Sequence, residues 1–407
     1  MNENLNQNEN AEKQELLNSM LSKVQHEAVS DEFIYGITSR AGRKFSQKIN
    51  DFLIDHSAVP GKEIAYFFEL LATMIQAGIP LNRSLKILIH KTENKRLQRI
   101  IATLSFELEH GRSLGQALER FPDVFEESQR GMVRSAEAVG NLETVLYKIA
   151  KHLERKNSLY MRLMGALIYP ITVIGALIVG IIVMMTFVVP KIREIFAQST
   201  LELPFATRVL LDTSTIFSDY WWLLLILIIL GTIAFHFYTH SEEGRFSWDF
   251  KKLQIPFAGN LLRKIFVLRF VDTLGMLIES GLPINKSIEF VATTIGNEVY
   301  RVKIYETLGS VQEGRPLSAS LATAPFLFPE TVTNMLAVGE QAAAVGEISQ
   351  KIGDHYEREI DHTLKNLTTV VGPVLILAIG LIVAFFAIAV LSPIFSLTES
   401  VIGKDLR

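Results

Sequence analysis

The stretch Ala77-Gly78-Ile79-Pro80-Leu81 returns as Ser280-Gly281-Leu282-Pro283-Ile284, and Asn82 and Ser84 return as Asn285 and Ser287. Each pair is 203 positions apart, and the offset holds on working outward. Gly111-Arg112, Leu114 and Leu118 match Gly314-Arg315, Leu317 and Leu321. Pro122 and Phe125 match Pro325 and Phe328, and Glu137 matches Glu340. His152, Glu154 and Arg155 match His355, Glu357 and Arg358, and Pro170 and Pro190 match Pro373 and Pro393. Residues 61–190 therefore align with 264–393 without a gap, which marks an internal duplication.

Within the repeat the apolar residues recur at helical spacing. Phe67, Leu71, Met74 and Ile75 form one stripe. Leu97, Ile100, Ile101, Leu104 and Leu108 form a second, and Leu142, Val145, Leu146, Ile149 and Leu153 a third. No stretch alternates at period two, so the expected fold class is all-α. Gly78 and Pro80 mark one corner, Gly111 a second, Pro122 a third and Gly140 a fourth. That predicts about six short helices per copy, the last running into the apolar stretch that follows.

Three runs carry no charged side chain: Leu163 to Pro190, Tyr220 to Thr239 and Leu367 to Thr398. Each has about 20 residues or more, enough as a helix to cross a hydrocarbon core of roughly 30 Å. We read all three as transmembrane helices. Lys148, Lys151, Arg155, Lys156 and Arg162 precede the first run, and Arg245, Lys251, Lys252, Arg263 and Lys264 follow the second. The 191–219 loop has only Lys191, Arg193 and Arg208, against four acidic residues. This bias puts the N-terminus and residues 240–366 in the cytoplasm, and the C-terminus outside. Trp221 and Trp222 then fall at the outer interface.

The expected plan is a polar, partly disordered tail at 1–60 and a first cytoplasmic helical domain at 61–162. A span at 163–190, an extracytoplasmic loop at 191–219 and a span at 220–239 follow. The second cytoplasmic domain is 240–366, the third span 367–393 and an extracytoplasmic tail 394–407. Asparagine stands at positions 2, 4, 6, 8 and 10. That composition reads as a solvated tail and not as a signal peptide, so the first span is expected to serve as the insertion signal. One helix is expected near Phe45–His56.

Composition excludes several function classes. The 407 residues include no cysteine, which removes disulfides, thiolate metal sites and cysteine nucleophiles. A net charge of −3 gives no electrostatic reason to expect nucleic-acid binding. The apolar runs contain no Asp, Glu, Lys or Arg, where ion-coupled transporters usually place an ionisable group. Gly165, Gly175, Gly180, Gly372 and Gly380, with Ala176, Ala378 and Ala384, offer instead small-residue surfaces for another membrane helix. Charge separates the copies: residues 61–162 carry 16 Lys and Arg against 12 Asp and Glu, a net of +4. Residues 264–366 carry 9 against 13, a net of −4, so the two faces suit each other or different partners.

No phosphate loop, His-Glu-x-x-His pair or EF-hand loop occurs. Gly111-Arg112-Ser113-Leu114-Gly115 fits the Gly-x-Ser-x-Gly pattern of a nucleophile elbow. An elbow needs a strand before it, whereas here a helical stripe precedes and the matching position of the second copy is Pro316. Ser113 with Gln116 is expected to form a capping box. The repeated His152-x-Glu154-Arg155 pattern is expected to pair with neighbouring side chains or lipid headgroups. No catalytic residue, cofactor or metal site is therefore expected. A membrane receptor or signalling scaffold is the alternative class, but an outer loop of about 29 residues leaves little room for a folded sensor.

The motifs, taken as a set and twice over, resemble the PilC/GspF family of type IV pilus and type II secretion platform proteins. Ala77–Leu81 and Ser280–Ile284 resemble the start of that family's cytoplasmic domain. Gly111-Arg112-Ser113-Leu114 and Gly314-Arg315-Pro316-Leu317 resemble its second hallmark. Ala136–Leu142 and Gly339-Glu340 resemble its third, and Val188–Ile192 and Ser392–Phe395 its span ends. The resemblance covers about residues 60–397. It implies an inner-membrane assembly protein, not an enzyme, that couples a cytoplasmic hexameric ATPase to pilin or pseudopilin subunits. It also implies other inner-membrane assembly partners, membrane lipid and a homo-oligomer, with no nucleic acid and no cofactor. The repeat residues singled out for structure or partner contact are Gly78, Pro80, Gly111, Glu137, Gly281, Pro283, Gly314 and Glu340. The sequence departs from the pattern in the polar first 60 residues, at Ala136, and at Ala343 where a second turn glycine is usual. The last substitution predicts a longer helix in the second copy. Gly372 replaces the usual acidic residue before the third-span proline, so no membrane carboxylate is inferred.

Overall fold

A computed structural model describes residue 35 and residues 51–197, 205–256 and 258–405. The asparagine-rich opening and the first part of the helix expected near 45–56 lie outside the described residues. Residues 51–55 are helical. The rest is built from helices, with no strand among the described residues.

The first copy comprises α1 (Gly61–Gln76), α2 (Leu81–Lys91), α3 (Lys95–Glu109), α4 (Leu114–Leu118), α5 (Glu127–Val139) and the head of α6 (Leu142–Val183). A π-turn, Met184–Val188, joins α6 to α7 (Val189–Ala197). Then come α8 (Phe205–His240) and α9 (Glu242–Gln254). The second copy comprises α10 (Ala258–Glu279), α11 (Ile284–Thr294), α12 (Glu298–Gln312), α13 (Leu317–Leu321), α14 (Glu330–Gln341) and the head of α15 (Val345–Asp405). The bounds of α2, α3 and α4 reappear in α11, α12 and α13 at the 203-residue offset.

Local chemistry fixes the helix ends. Pro80 and Pro283 sit just before α2 and α11, where a fixed φ near −60° suits the turn and no amide is needed. Asn94 accepts a hydrogen bond from Leu97 N at the start of α3, and Asn297 accepts from Val299 N and Tyr300 N at the start of α12. Ser113 and Gln116 form the expected capping box on α4, and Pro316 takes that place before α13. Gly78, Gly111 and Gly140 have positive φ, as do Gly281 and Gly314, so each chain reversal uses a residue without a Cβ.

Ala343 is the exception. It occupies the position of Gly140 and takes φ 53°, the one positive φ on a non-glycine among the described residues. The longer helix expected there does not form, because α14 stops at Gln341. Ala344 N donates to Gly339 O at 2.8 Å, as Asn141 N does to Ala136 O at 2.9 Å, so both copies close the same turn. The packing of α15 against Gly339 outweighs the local preference of alanine. A Cβ on Gly339 would lie 3.1 Å from Ile348 Cβ.

The chain packs as two units. The first joins the helices of both copies, up to Leu159 and from Phe266 to His355. Its core repeats itself: Phe67 stacks near Phe125 with ring centroids 6.2 Å apart, and Phe270 near Phe328 at 5.0 Å. Leu71, Leu85, Leu114 and Leu118 are fully buried, as are Leu274, Ile288, Leu317 and Leu321 at the matching positions. Arg99 of α3 ties down residues 51–55 through Asp51 at 2.6 Å and Asp55 at 3.0 Å. Burial of the guanidinium opposes its charge, but these carboxylates outweigh that and raise its pKa.

The second unit runs from Tyr160 to Ile265 and from Tyr356 to the C-terminal end. Leu142–Glu194 and Val345–Ser392 contain windows long and apolar enough to cross a membrane. A third apolar stretch, Leu225–His240, bends by 102° into Glu242–Gln254 at Ser241. Val189, Leu210 and Ala389 form a small buried cluster where α7, α8 and α15 meet. Thr207 Oγ1 donates to Ala389 O at 2.7 Å, and Ser214 Oγ to Met185 O, inside the π-turn, at 3.1 Å. Pro190 lacks an amide to continue the helical ladder, and the wider turn just before it absorbs that break.

Candidate functional site

The eight repeat residues divide into turn formers and two carboxylates. Gly78, Pro80, Gly111, Gly281, Pro283 and Gly314 all stand at corners between helices. Glu137, on α5, reaches back to the start of α4. It accepts hydrogen bonds from Leu114 N at 2.5 Å and Gly115 N at 2.8 Å. Glu340, on α14, does the same for α13, accepting from Leu317 N, from Ser318 N at 3.0 Å and from the Ser318 hydroxyl. The first amides of a helix have no intrahelical acceptor and carry the positive end of its dipole, so a carboxylate satisfies both needs. The pairs sit 22 and 23 residues apart in sequence, and the repeat alone reveals that both copies use them.

The two copies meet through side chains that periodicity did not single out. Phe290 of α11 lies on Gly131 of α5: a Cβ added to Gly131 would stand 2.9 Å from Phe290 Cζ. Lys148 Nζ donates to Glu279 O at 2.7 Å and lies 3.5 Å from its carboxylate. His152 Nδ1 lies 2.7 Å from Asp272 Oδ2, close but not aligned as a hydrogen bond. Arg155 reaches Asp272 at 3.7 Å and Asp354 at 3.3 Å. The first-copy His-x-Glu-Arg pattern thus spends its His and Arg on the second copy's acids. No group of three or more potential metal ligands occurs among the described residues.

The second unit offers an apolar groove of about 500 Å³ between α6 and α15. Ala176, Gly180 and Met184 line one wall, and Ile382, Phe386 and Val390 the other. Below it, Arg162 pairs with Glu357 and, at 2.9 Å, with Asp361, and Lys264 pairs with Glu359 at 2.8 Å. A Cβ added to Gly165, Gly175, Gly180, Gly372 or Gly380 would meet nothing within 4 Å. Among the described residues, then, these five glycines are not used up by packing within the chain. A wall of Gly, Ala and branched apolar side chains, with no charge, can receive a hydrophobic helix and can do no acid–base chemistry.

The tandem helical repeats and the apolar helices that follow them define a class of duplicated membrane proteins. Residues 67–190 and 270–393, together more than half the chain, match the family model for the type II secretion system (T2SS) protein F, in the same 203-residue register. The chain belongs to that family. It is 32% identical over 339 residues to a type IV pilus assembly protein PilC of Thermus thermophilus, covering 83% of each chain. A PilC protein of Myxococcus xanthus is 32% identical, over 88% of this chain and 86% of its own. A type II secretion system protein F of Aeromonas hydrophila is 29% identical, over 88% of this chain and 92% of its own.

Proposed function

We propose that the chain is the inner-membrane platform of a type IV pilus or type II secretion machine. In this reading it couples a cytoplasmic hexameric ATPase to the insertion of pilin or pseudopilin subunits into a filament, or to their extraction from it. The observation that carries the reading is the family match over both repeats. It is supported by relatives of similar length whose names assign them to type IV pilus assembly and to type II secretion.

The proposed topology has three spans, at 163–190, 220–239 and 367–393, with helical domains at 61–162 and 240–366 on the cytoplasmic side. Residues 191–219 and 394–407 lie outside. The charge bias flanking the runs supports it. Two tightly joined helical repeats suit the transmission of force from an ATPase. The uncharged groove suits the hydrophobic helix of a pilin leaving the bilayer. The chain itself acts without catalysis, and Ser113 serves as a helix cap. Deleting the gene while leaving the ATPase and pilins in place is expected to abolish filaments, with pilin accumulating in the membrane. Filaments assembled at the normal level in that strain would overturn the proposal.

A further inference from the structure

The joint between the two repeats is one-directional. The first copy contributes α5 and the head of α6; the second contributes α10, α11 and, through Asp354, the head of α15. A two-fold joint would bury the matching surfaces, α14 in the second copy and α2 in the first, in the same way. They are open. Ser128 on α5 is 2% exposed, while its counterpart Thr331 on α14 is exposed. Asn334, at the position of Gly131, is exposed, and Val338 beside it is 59% exposed. On α2, Arg83 and Lys91 are exposed and Ile87, at the position of Phe290, is half-buried.

A head-to-tail joint inside a duplicated chain leaves one unused half at each end. These halves are complementary. Lys286 of α11 is held above its ordinary pKa first by Glu289 and also by Glu127 across the internal joint. The same two positions at the open ends are Arg83 and Glu330, again a cation and a carboxylate. Neither holds an ion-pair partner among the described residues. Size is compensated too: the large Phe290 sits on Gly131, and the smaller Ile87 would face the larger Asn334. The net charges of +4 at 61–162 and −4 at 264–366 point the same way.

We propose that α14 of one copy of this chain docks on α2 of another, repeating the internal joint between molecules and pairing Glu330 with Arg83. Such a joint is heterologous, so repeating it between molecules builds a ring where the rotation closes. The surface is separate from the groove and stands whether or not the platform reading does.

The natural absence of cysteine makes the test direct. Full-length chains carrying Arg83→Cys and Glu330→Cys, with different tags, are co-expressed in the membranes of a host without pilus or secretion machinery. A short bismaleimide is then added. The expected product is a linked dimer containing both tags, with little linking between two Arg83→Cys chains or two Glu330→Cys chains. A single chain with Glu127→Cys and Lys286→Cys serves as the control for the internal joint and should link within itself. Placing the cysteines instead at Ile87 and Asn334, the variant Arg83→Glu should lower linking about fivefold, and adding Glu330→Arg should restore it. Like-to-like links would show a two-fold dimer and overturn the proposal. So would a control that links while the 83–330 pair between chains does not.

Discussion

Glu137 accepts the amide of Leu114 at 2.5 Å, and through this bond and the one from Gly115 the start of α4 is fixed to the last turn of α5. Its repeat counterpart Glu340 holds Leu317 in the same way. Three of the six helices in each copy are too short to be stable alone, so their positions depend on such cross-links and on the shared core. The two carboxylates are accordingly internal braces, and their acceptor atoms are spent within the chain.

Removing the brace should show in stability before it shows in function. Glu340→Gln is expected to cost about 1–3 kcal/mol, because it leaves helix-start amides weakly satisfied. Glu340→Lys should cost more, since it puts a cation at the positive end of α13. Both are read by thermal unfolding of the purified full chain, alongside filament assembly in cells. Lost assembly with unchanged stability would mean that Glu340 acts on a partner instead.

The strained turn at Ala343 gives a prediction of the opposite sign. Ala343→Gly removes the Cβ from a left-handed backbone and should stabilise the chain by about 1 kcal/mol. The same change at exposed Ala322, whose φ is −62°, should not stabilise. A decrease in the unfolding midpoint for Ala343→Gly would show that the turn is not strained.

The repeat joint can be opened selectively. Gly131→Val drives a branched side chain into the Phe290 ring and should cost about 1–3 kcal/mol by overpacking. Asn334→Val, at the matching open surface of the second copy, should change the stability of the isolated chain by less than about 0.5 kcal/mol. Equal effects at the two positions would contradict the asymmetry of the joint.

Arg99 should act as a latch on the residues before α1. Arg99→Ala removes the guanidinium that stands 2.6 Å from Asp51 and 3.0 Å from Asp55, and breaking a buried pair of this kind typically costs about 3–5 kcal/mol. The local result expected is faster protease cleavage between residues 51 and 60, with α1 to α5 still protected. Uniform digestion of the whole repeat would instead place Arg99 in the global core.

The duplication, the all-helical class and the apolar runs were legible because each is written in local periodicity or in self-similarity. Gly78 and Gly281 announced their corners, since few other residues follow a helix with positive φ. The joint between repeats was not legible. Gly131 sits between the polar run Ser128-Gln129-Arg130 and Met132, where a glycine signals nothing until Phe290 is seen above it. The role of Glu137 was equally hidden, because its partners lie 22 and 23 residues away and are backbone amides common to every residue. At Ala343 local reasoning erred, since it weighed alanine's helix preference without the α15 packing that stops α14. The π-turn at Met184–Val188 had one local cause, Pro190, and its use by Ser214 appears only in three dimensions.

The most direct test of the platform account is what the protein carries with it. The tagged full-length chain is solubilised gently from its own membranes, purified, and its companions identified by mass spectrometry. The account predicts recovery of a hexameric secretion-type ATPase together with pilin-like subunits. Recovery of neither, in a preparation where other membrane complexes remain intact, would contradict it.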